Sequence, residues 1–338
     1  MSFSIKNKLS SFVTYASFRG YFILGTIWYL STEQTLRKRI NFTSVVNISK
    51  KYKYCRAEAK RLVASYLSDT SLSTEEIKRY TRYASKCMLM LQILPWGESR
   101  PYSISLNKFA ARFGICIPIF DGFFDDDNKA EALAYSKNIL CGLEQGSFTS
   151  HLLDDELLSE YFDLLESEIP NTNYKLFQKT FRDLVFWQMR SLEQQENISS
   201  DTTKYISEKK GAKSYLLLTL ALELPEGAVE IVEKCGSWAQ HVDDYVDTCE
   251  DKRAGIVTYM NLFSDNAEAR SFLLRGLDSL STDISHAFGD KSSLYICMLA
   301  LSFLEKTLFL GYQNSVFASF EFFNHKEAFP HYYSNLGK

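Results

Sequence analysis

An all-α fold, one helical bundle, is what the sequence predicts, and three observations carry that expectation. Six prolines and fifteen glycines over 338 residues are too few for a turn-rich β-sandwich. From about residue 56 onward apolar residues recur with the helical period, and no alternating strand pattern of useful length interrupts them. No repeat, low-complexity linker or composition shift divides the chain. The expected organisation is an N-terminal helical segment over 1–50 packing on a bundle over 51–338.

Each element has a local cause. Ser73-Thr74-Glu75-Glu76 has the form of a capping box, opening a helix through Leu94 that Pro95-Trp96-Gly97 stops. Residues 104–127 read as a largely apolar helix, with Pro118 expected to kink it before an acidic end. Amphipathic helices are expected at 129–141 and 153–168, ended by Ile169-Pro170-Asn171. Another should run over 172–195. Residues 202–223 read as helical with a break at Gly211, and Pro225 opens the next helix. Two long apolar helices, 265–288 and 292–320, complete the set.

Bulk properties exclude several classes. The chain is 46% hydrophobic and 23% charged, an ordinary globular composition. A formal net charge of -3, with no dense Lys/Arg face, argues against nucleic acid as a partner. The seven cysteines (Cys55, Cys87, Cys116, Cys141, Cys235, Cys249, Cys297) are odd in number and never paired as CxxC, which fits a reduced, cytoplasmic protein. The five histidines form no HExxH or ExxH pattern, so neither a zinc hydrolase nor a di-iron bundle is expected. Gly20–Leu30 is uncharged but too short to span a bilayer, and no cleavage site follows it. It reads as a buried N-terminal helix, with a peripheral membrane contact as the alternative.

The most informative stretch is His241–Gly255. Asp243, Asp247 and Asp251 form an i, i+4, i+8 series. At about 100° per residue they share a helix face. Like charges at this spacing weaken a helix by a few tenths of a kcal/mol per pair. A helix that stacks three of them, with Asp244 beside, is built to hold cations. Hard divalent ions prefer such oxygens and commonly bridge to substrate phosphates.

A second acidic cluster lies upstream, in Pro118-Ile119-Phe120-Asp121-Gly122-Phe123-Phe124-Asp125-Asp126-Asp127. Asp121 sits among apolar neighbours, where a carboxylate needs a partner, and a metal ion suffices. The two acidic helices are expected to face each other and hold Mg²⁺ through Asp121, Asp125, Asp126, Asp243, Asp244, Asp247 and Asp251. Asp154-Asp155-Glu156 with Glu160 is not recruited, because acids at a helix start favour the dipole and the surrounding leucines are a core stripe.

Paired acidic helix motifs in an all-α chain of this size resemble the class I isoprenoid (terpene) synthase family. Its second motif reads (N/D)D-x-x-(S/T/D)-x-x-x-(E/D), often with a glycine four residues on. Asp243-Asp244, Asp247, Asp251 and Gly255 match those places in order, in the all-Asp form similar to chain-elongating members and to large-terpene synthases of the tetraprenyl-curcumene type. Gly236 and Gln240 match the upstream G-x-x-x-Q. The first motif departs from DDxxD, since Gly122 replaces its second acid, and resembles the D-x-x-x-D of squalene and phytoene synthases.

The resemblance implies a Mg²⁺-dependent enzyme with three ions, Mn²⁺ being the alternative metal, and a prenyl diphosphate substrate of fifteen to twenty-five carbons. It implies catalytic roles for Asp121, Asp125, Asp243 and Asp247, and a homodimer. Basic groups for the diphosphate are Lys209 and Lys210, in a Tyr205…Lys-Lys-Gly-Ala element, with Lys252, Arg253 and Arg190. A carbocation needs a dry aromatic cavity, each ring stabilising it by roughly 0.5–2 kcal/mol. Phe120, Phe124, Phe186, Trp187, Tyr215 and Trp238 are the candidates.

Cyclisation is favoured over chain elongation because the basic elements of a second diphosphate site are lacking. Asn128–Ser136 holds no arginine, and Gly97-Glu98-Ser99-Arg100-Pro101 is a faint echo of G-K-x-x-R-P. The C-terminal Arg-Tyr pair of many bacterial cyclases is also missing, leaving Tyr332 and Tyr333 without an arginine. A prenyltransferase, or a diverged helical protein without catalysis, are the other readings.

Overall fold

The computed structural model of the protein describes residues 33–68, 72–96, 103–125, 129–145, 153, 156–192 and 199–319, without the side chains of Asp125 and of 308–319. The Gly20–Leu30 run, the Gly97–Pro101 element, Asp126, Asp127, Asp154, Asp155 and the Tyr332-Tyr333 pair lie outside the described residues.

Every regular element among the described residues is helical. In chain order they are α1 (Gln34–Arg39), α2 (Phe42–Tyr66), α3 (Thr74–Ile93), α4 (Ile104–Asp125), α5 (Lys129–Glu144), α6 (Glu156–Glu168), α7 (Tyr174–Ser191), α8 (Ser200–Thr219), α9 (Ala228–Ala254), α10 (Asn266–Phe288) and α11 (Ser293–Ser319), with short 3₁₀ turns before and after α10. The chain divides into two compact units, one of residues 41–298 and one of residues 1–40 with 299–338. Helix α2 runs through residue 50 without a break.

Helix starts follow the capping chemistry. The Ser73 hydroxyl accepts from Glu76 N–H at 3.2 Å while the Glu76 carboxylate accepts from Ser73 N–H at 2.8 Å, closing the expected capping box. Asn41, Ser199 and Asp265 cap α2, α8 and α10 in the same one-way sense. Helix α4 continues through Pro118. Helix α9 begins at Ala228, capped by Gly227 at φ 76°, rather than at Pro225.

Two helix pairs set the geometry of the larger unit. In the first, Gln92 Nε2 donates to Asn107 Oδ1 at 3.2 Å, and Gly114 lies against the Ala84 backbone so closely that a Cβ would collide with it. The pairings 92 with 107 and 84 with 114 make α3 and α4 antiparallel. Asp121, seven residues beyond Gly114, therefore falls beside the Ile77–Arg79 turn.

In the second pair, Gly211 of α8 and Gly236 of α9 meet backbone to backbone, and a Cβ on either would strike the other's carbonyl oxygen. Lys213 pairs with Glu233 at 2.6 Å and Ser237 Oγ donates to the Glu208 carbonyl at 2.9 Å, again antiparallel. The expected break at Gly211 is thus absent. Helix α8 runs unbroken, and the glycine permits a close crossing instead of a bend.

One stretch, Asn266–Thr307, is long and apolar enough to cross a membrane, with mean hydropathy 1.2, and half of that window is buried within the protein. It is interrupted by the 3₁₀ turn Gly289–Ser292, where Gly289 has φ 57°.

Candidate functional site

Antiparallel packing gathers five helix ends. The N-terminal half of α3, the C-terminal ends of α4, α7 and α9, and the N-terminal half of α8 lie at one end of the larger unit. Three contacts fix this. Gln188 Nε2 of α7 donates to Asp121 Oδ1 of α4 at 3.0 Å. Trp187 of α7 meets Tyr205 of α8 edge-on at 5.1 Å. Tyr83 of α3 lies within electrostatic reach of both Asp121 and Asp243, and burial first, then these two carboxylates, push its phenol above the usual range. The two acidic motifs, more than 100 residues apart in sequence, thus flank one tyrosine.

The acidic series on α9 is not uniform. Each step of four advances the helix about 40°, so the stripe rotates by about 80° between Asp243 and Asp251. Asp243 is exposed and Asp247 half-buried. Asp244, 7% exposed, accepts from Gln240 Nε2 at 2.8 Å through Oδ1. Its other oxygen, Oδ2, is buried without a hydrogen-bond partner of ordinary length. Burial raises its carboxyl, while Lys210, Gln240, His241 and Ser207 pull the other way. Asp251 is pushed up to about 7, by burial first and the Asp244 charge second, with Lys210 and Thr258 opposing.

The lysine pair divides its work. Lys210 faces Asp244 and Asp251. Lys209 lies over the Tyr205 ring at 5.2 Å and helps hold Glu208 below its usual range against the cost of burial. Glu208 also meets His241 Nε2 at 3.4 Å and Lys204 at 3.8 Å. Lys204 stands over the Tyr259 and Phe272 rings, both of which contact the His241 ring.

The remaining sequence candidates separate. Phe120 and Phe124 are buried on α4, their rings tilted at 56° with centroids 5.2 Å apart. Tyr215 feels Asp243, and burial, Cys235 and Asp243 raise its phenol. Phe186 and Trp187 are in contact at 5.0 Å, and Phe186 is exposed. Trp238 is not gathered with these groups. Its indole donates to the Leu273 carbonyl at 2.9 Å and packs on Gly276, which makes it filler between α9 and α10. Lys252 and Arg253 are exposed in the last turn of α9, where cations favour the helix dipole. Arg190 is half-buried in the last turn of α7. Asp125 ends α4, its side chain outside the description, as is Asp126.

Gly255 has a structural cause of its own. At φ 70° it ends α9, with Ile256 N–H donating to the Asp251 carbonyl at 2.8 Å, a Schellman stop. A glycine four residues past the last acid is what a helix ending there requires.

Among the described residues, no three Asp, Glu, His or Cys side chains stand close enough to hold a metal ion between them. The donor chemistry nevertheless fits Mg²⁺, whose sites take one or two carboxylates and complete themselves with water and phosphate oxygens. Asp244 Oδ2 has no hydrogen bond of 3.5 Å or less, and burial raises the Asp251 carboxyl. Sequence reading missed Gln188, Tyr83 and the Glu208–His241 pair. The chain has 20 tyrosines, and nothing local distinguishes Tyr83 among them. Gln188 falls on the buried i, i+4 stripe with Thr180 and Leu184, and is the larger of the two polar residues on it. No family model matches this chain, and no curated protein sequence is significantly similar to it.

Proposed function

We propose that this protein is a class I terpene synthase of the isoprenoid synthase fold. It binds a linear prenyl diphosphate with Mg²⁺, releases diphosphate and cyclises the resulting carbocation. What supports this most is that Tyr83 lies within electrostatic reach of both Asp121 and Asp243. Bound there, Mg²⁺ would supply Lewis acidity to the departing diphosphate.

Asp121, Asp243 and Asp247 would hold the ions, with Asp244 and Asp251 behind them. Gln188 Nε2 donates to Asp121 Oδ1 and orients that carboxylate. Lys210 balances the inner pair, Asp244 and Asp251. Phe120 and Phe124, next to Asp121 on α4, exclude water and present ring faces to a cation.

The test is incubation of purified protein with Mg²⁺ and prenyl diphosphates of ten to thirty-five carbons. Release of diphosphate with a hydrocarbon or terpene alcohol is the expected result. A longer diphosphate formed only with added isopentenyl diphosphate would replace cyclisation with chain elongation. No turnover and no Mg²⁺-dependent diphosphate binding would overturn both.

A further inference from the structure

We infer that α3 contributes a wall to this site, with Arg79 as a direct ligand of the substrate's diphosphate and Tyr83 as its hydroxyl donor. The inference rests on the terpene synthase reading and adds residues from a helix outside either acidic motif.

Register places them there. Gln92 opposite Asn107 and Ala84 opposite Gly114 run α3 antiparallel to α4, so Asp121 lies beside the turn that contains Arg79. Arg79 and Tyr83 are four residues apart and offset by about 40°, so they share one face of α3. That face continues to Cys87, whose thiol is within reach of the Tyr215 phenol, and Tyr215 in turn is within reach of Asp243. The stripe Arg79–Tyr83–Cys87 thus runs from the α4 motif toward the α9 motif.

Both groups are available to a ligand. Arg79 and Tyr83 are each partly exposed. No ion pair of 4.0 Å or less engages Arg79 among the described residues, although Glu76 is a turn away. The Glu76 carboxylate is already committed to the cap at Ser73, with bonds of 2.7 and 2.8 Å. Arg82, also partly exposed, sits on the flank of the same turn. The Tyr83 phenol carries an O–H that can donate to a phosphate oxygen.

A guanidinium next to two carboxylate clusters has a specific use. Its fork matches the oxygens of a diphosphate, and it offers charge that does not depend on a metal. The acidic groups would repel a bare diphosphate, so binding there needs cations on both sides. Asp244 supplies an independent sign of a ligand. It is more than nine-tenths buried next to the exposed Asp243 in sequence, and its Oδ2 has no hydrogen bond of 3.5 Å or less.

Inorganic pyrophosphate with Mg²⁺ is the probe, titrated calorimetrically into the full chain. Arg79→Ala should weaken pyrophosphate binding by about tenfold to a hundredfold at saturating Mg²⁺. Arg79→Lys should fall between, having charge without the fork. Tyr83→Phe should lose about threefold to tenfold. Lys78→Ala, an exposed neighbour paired with Glu75, should bind as the unmodified protein does. Thermal melting checks that each variant folds, and for the half-exposed Arg79 the midpoint should not move. If the unmodified protein binds pyrophosphate with Mg²⁺ and Arg79→Ala binds equally well, the α3 wall is wrong while the parent reading stands. If the unmodified protein binds none, both fall.

Discussion

Helix α9 divides into two halves that differ in how charge and volume are matched. In Ala228–Gln240 every large feature has a counterpart. Gly236 receives Gly211, Glu233 receives Lys213, Trp238 fills the space against Gly276, and Lys234 meets Asp283 at 2.9 Å. In His241–Ala254 burial raises the carboxyls of Asp244 and Asp251, and Asp244 Oδ2 has no hydrogen bond of 3.5 Å or less. A packed seam with satisfied pairs is what stability requires. An excess of one charge at a converging end costs stability, and such costs concentrate at functional sites. One helix thus packs closely through its first half and gathers carboxylates on its second.

The sharpest way to break this division is to exchange the effects. Gly236→Ala puts a methyl against the Gly211 carbonyl and the Ala212 Cα, which are backbone and cannot swing away. A loss of about 2–3 kcal/mol in urea unfolding is expected. A cost below about 0.5 kcal/mol would show that the crossing is loose. Asp243→Ala, exposed on the second half, should do the reverse. Turnover should fall by roughly 100-fold or more while stability stays within about 0.5 kcal/mol. Full turnover in that variant would remove Asp243 from the site.

Asp251 gives a pH signature. Its folded carboxyl is raised to about 7, above the value near 4 of an unfolded chain, so between these the native state holds the extra proton. Without Mg²⁺, stability should therefore decline as pH rises from about 4 to 7. Asp251→Asn should be the more stable form above pH 7, by about 1 kcal/mol once partial exposure is allowed for, and should show no advantage below pH 4. Mg²⁺ with pyrophosphate should narrow the gap at high pH. The smallest effect is at the helix end. Lys252→Ala should cost about 0.3 kcal/mol through the dipole. A larger fall in diphosphate affinity than in stability would mark it as a ligand rather than a cap.

The sequence made most of the architecture legible because helix starts are local events. The Ser73–Glu76 box needed only four residues, and the structure closes it as written. Ends set by Pro95 and Pro170 were equally readable. Gly211 was misread because a glycine in a helix has two meanings, and only the partner helix decides between them. Gly255 carries the converse lesson: a helix stop accounts for it. At the site, the series on α9 was visible through its period, yet its rotation from the exposed Asp243 to the inner Asp251 was not weighed. Tyr83, Gln188 and Glu208 act through partners on other helices, and long-range register is not written in any one segment.

The claim at the centre is that Asp121 and Asp243 belong to one site. A double-mutant cycle on Mg²⁺-dependent pyrophosphate affinity tests it most directly, with Asp121→Asn, Asp243→Asn and the two combined. Carboxylates serving the same ligand should couple by about 1 kcal/mol or more, the double variant binding little worse than the weaker single one. Losses that simply add, within about 0.3 kcal/mol, would mean that the two motifs act apart and that no shared site exists.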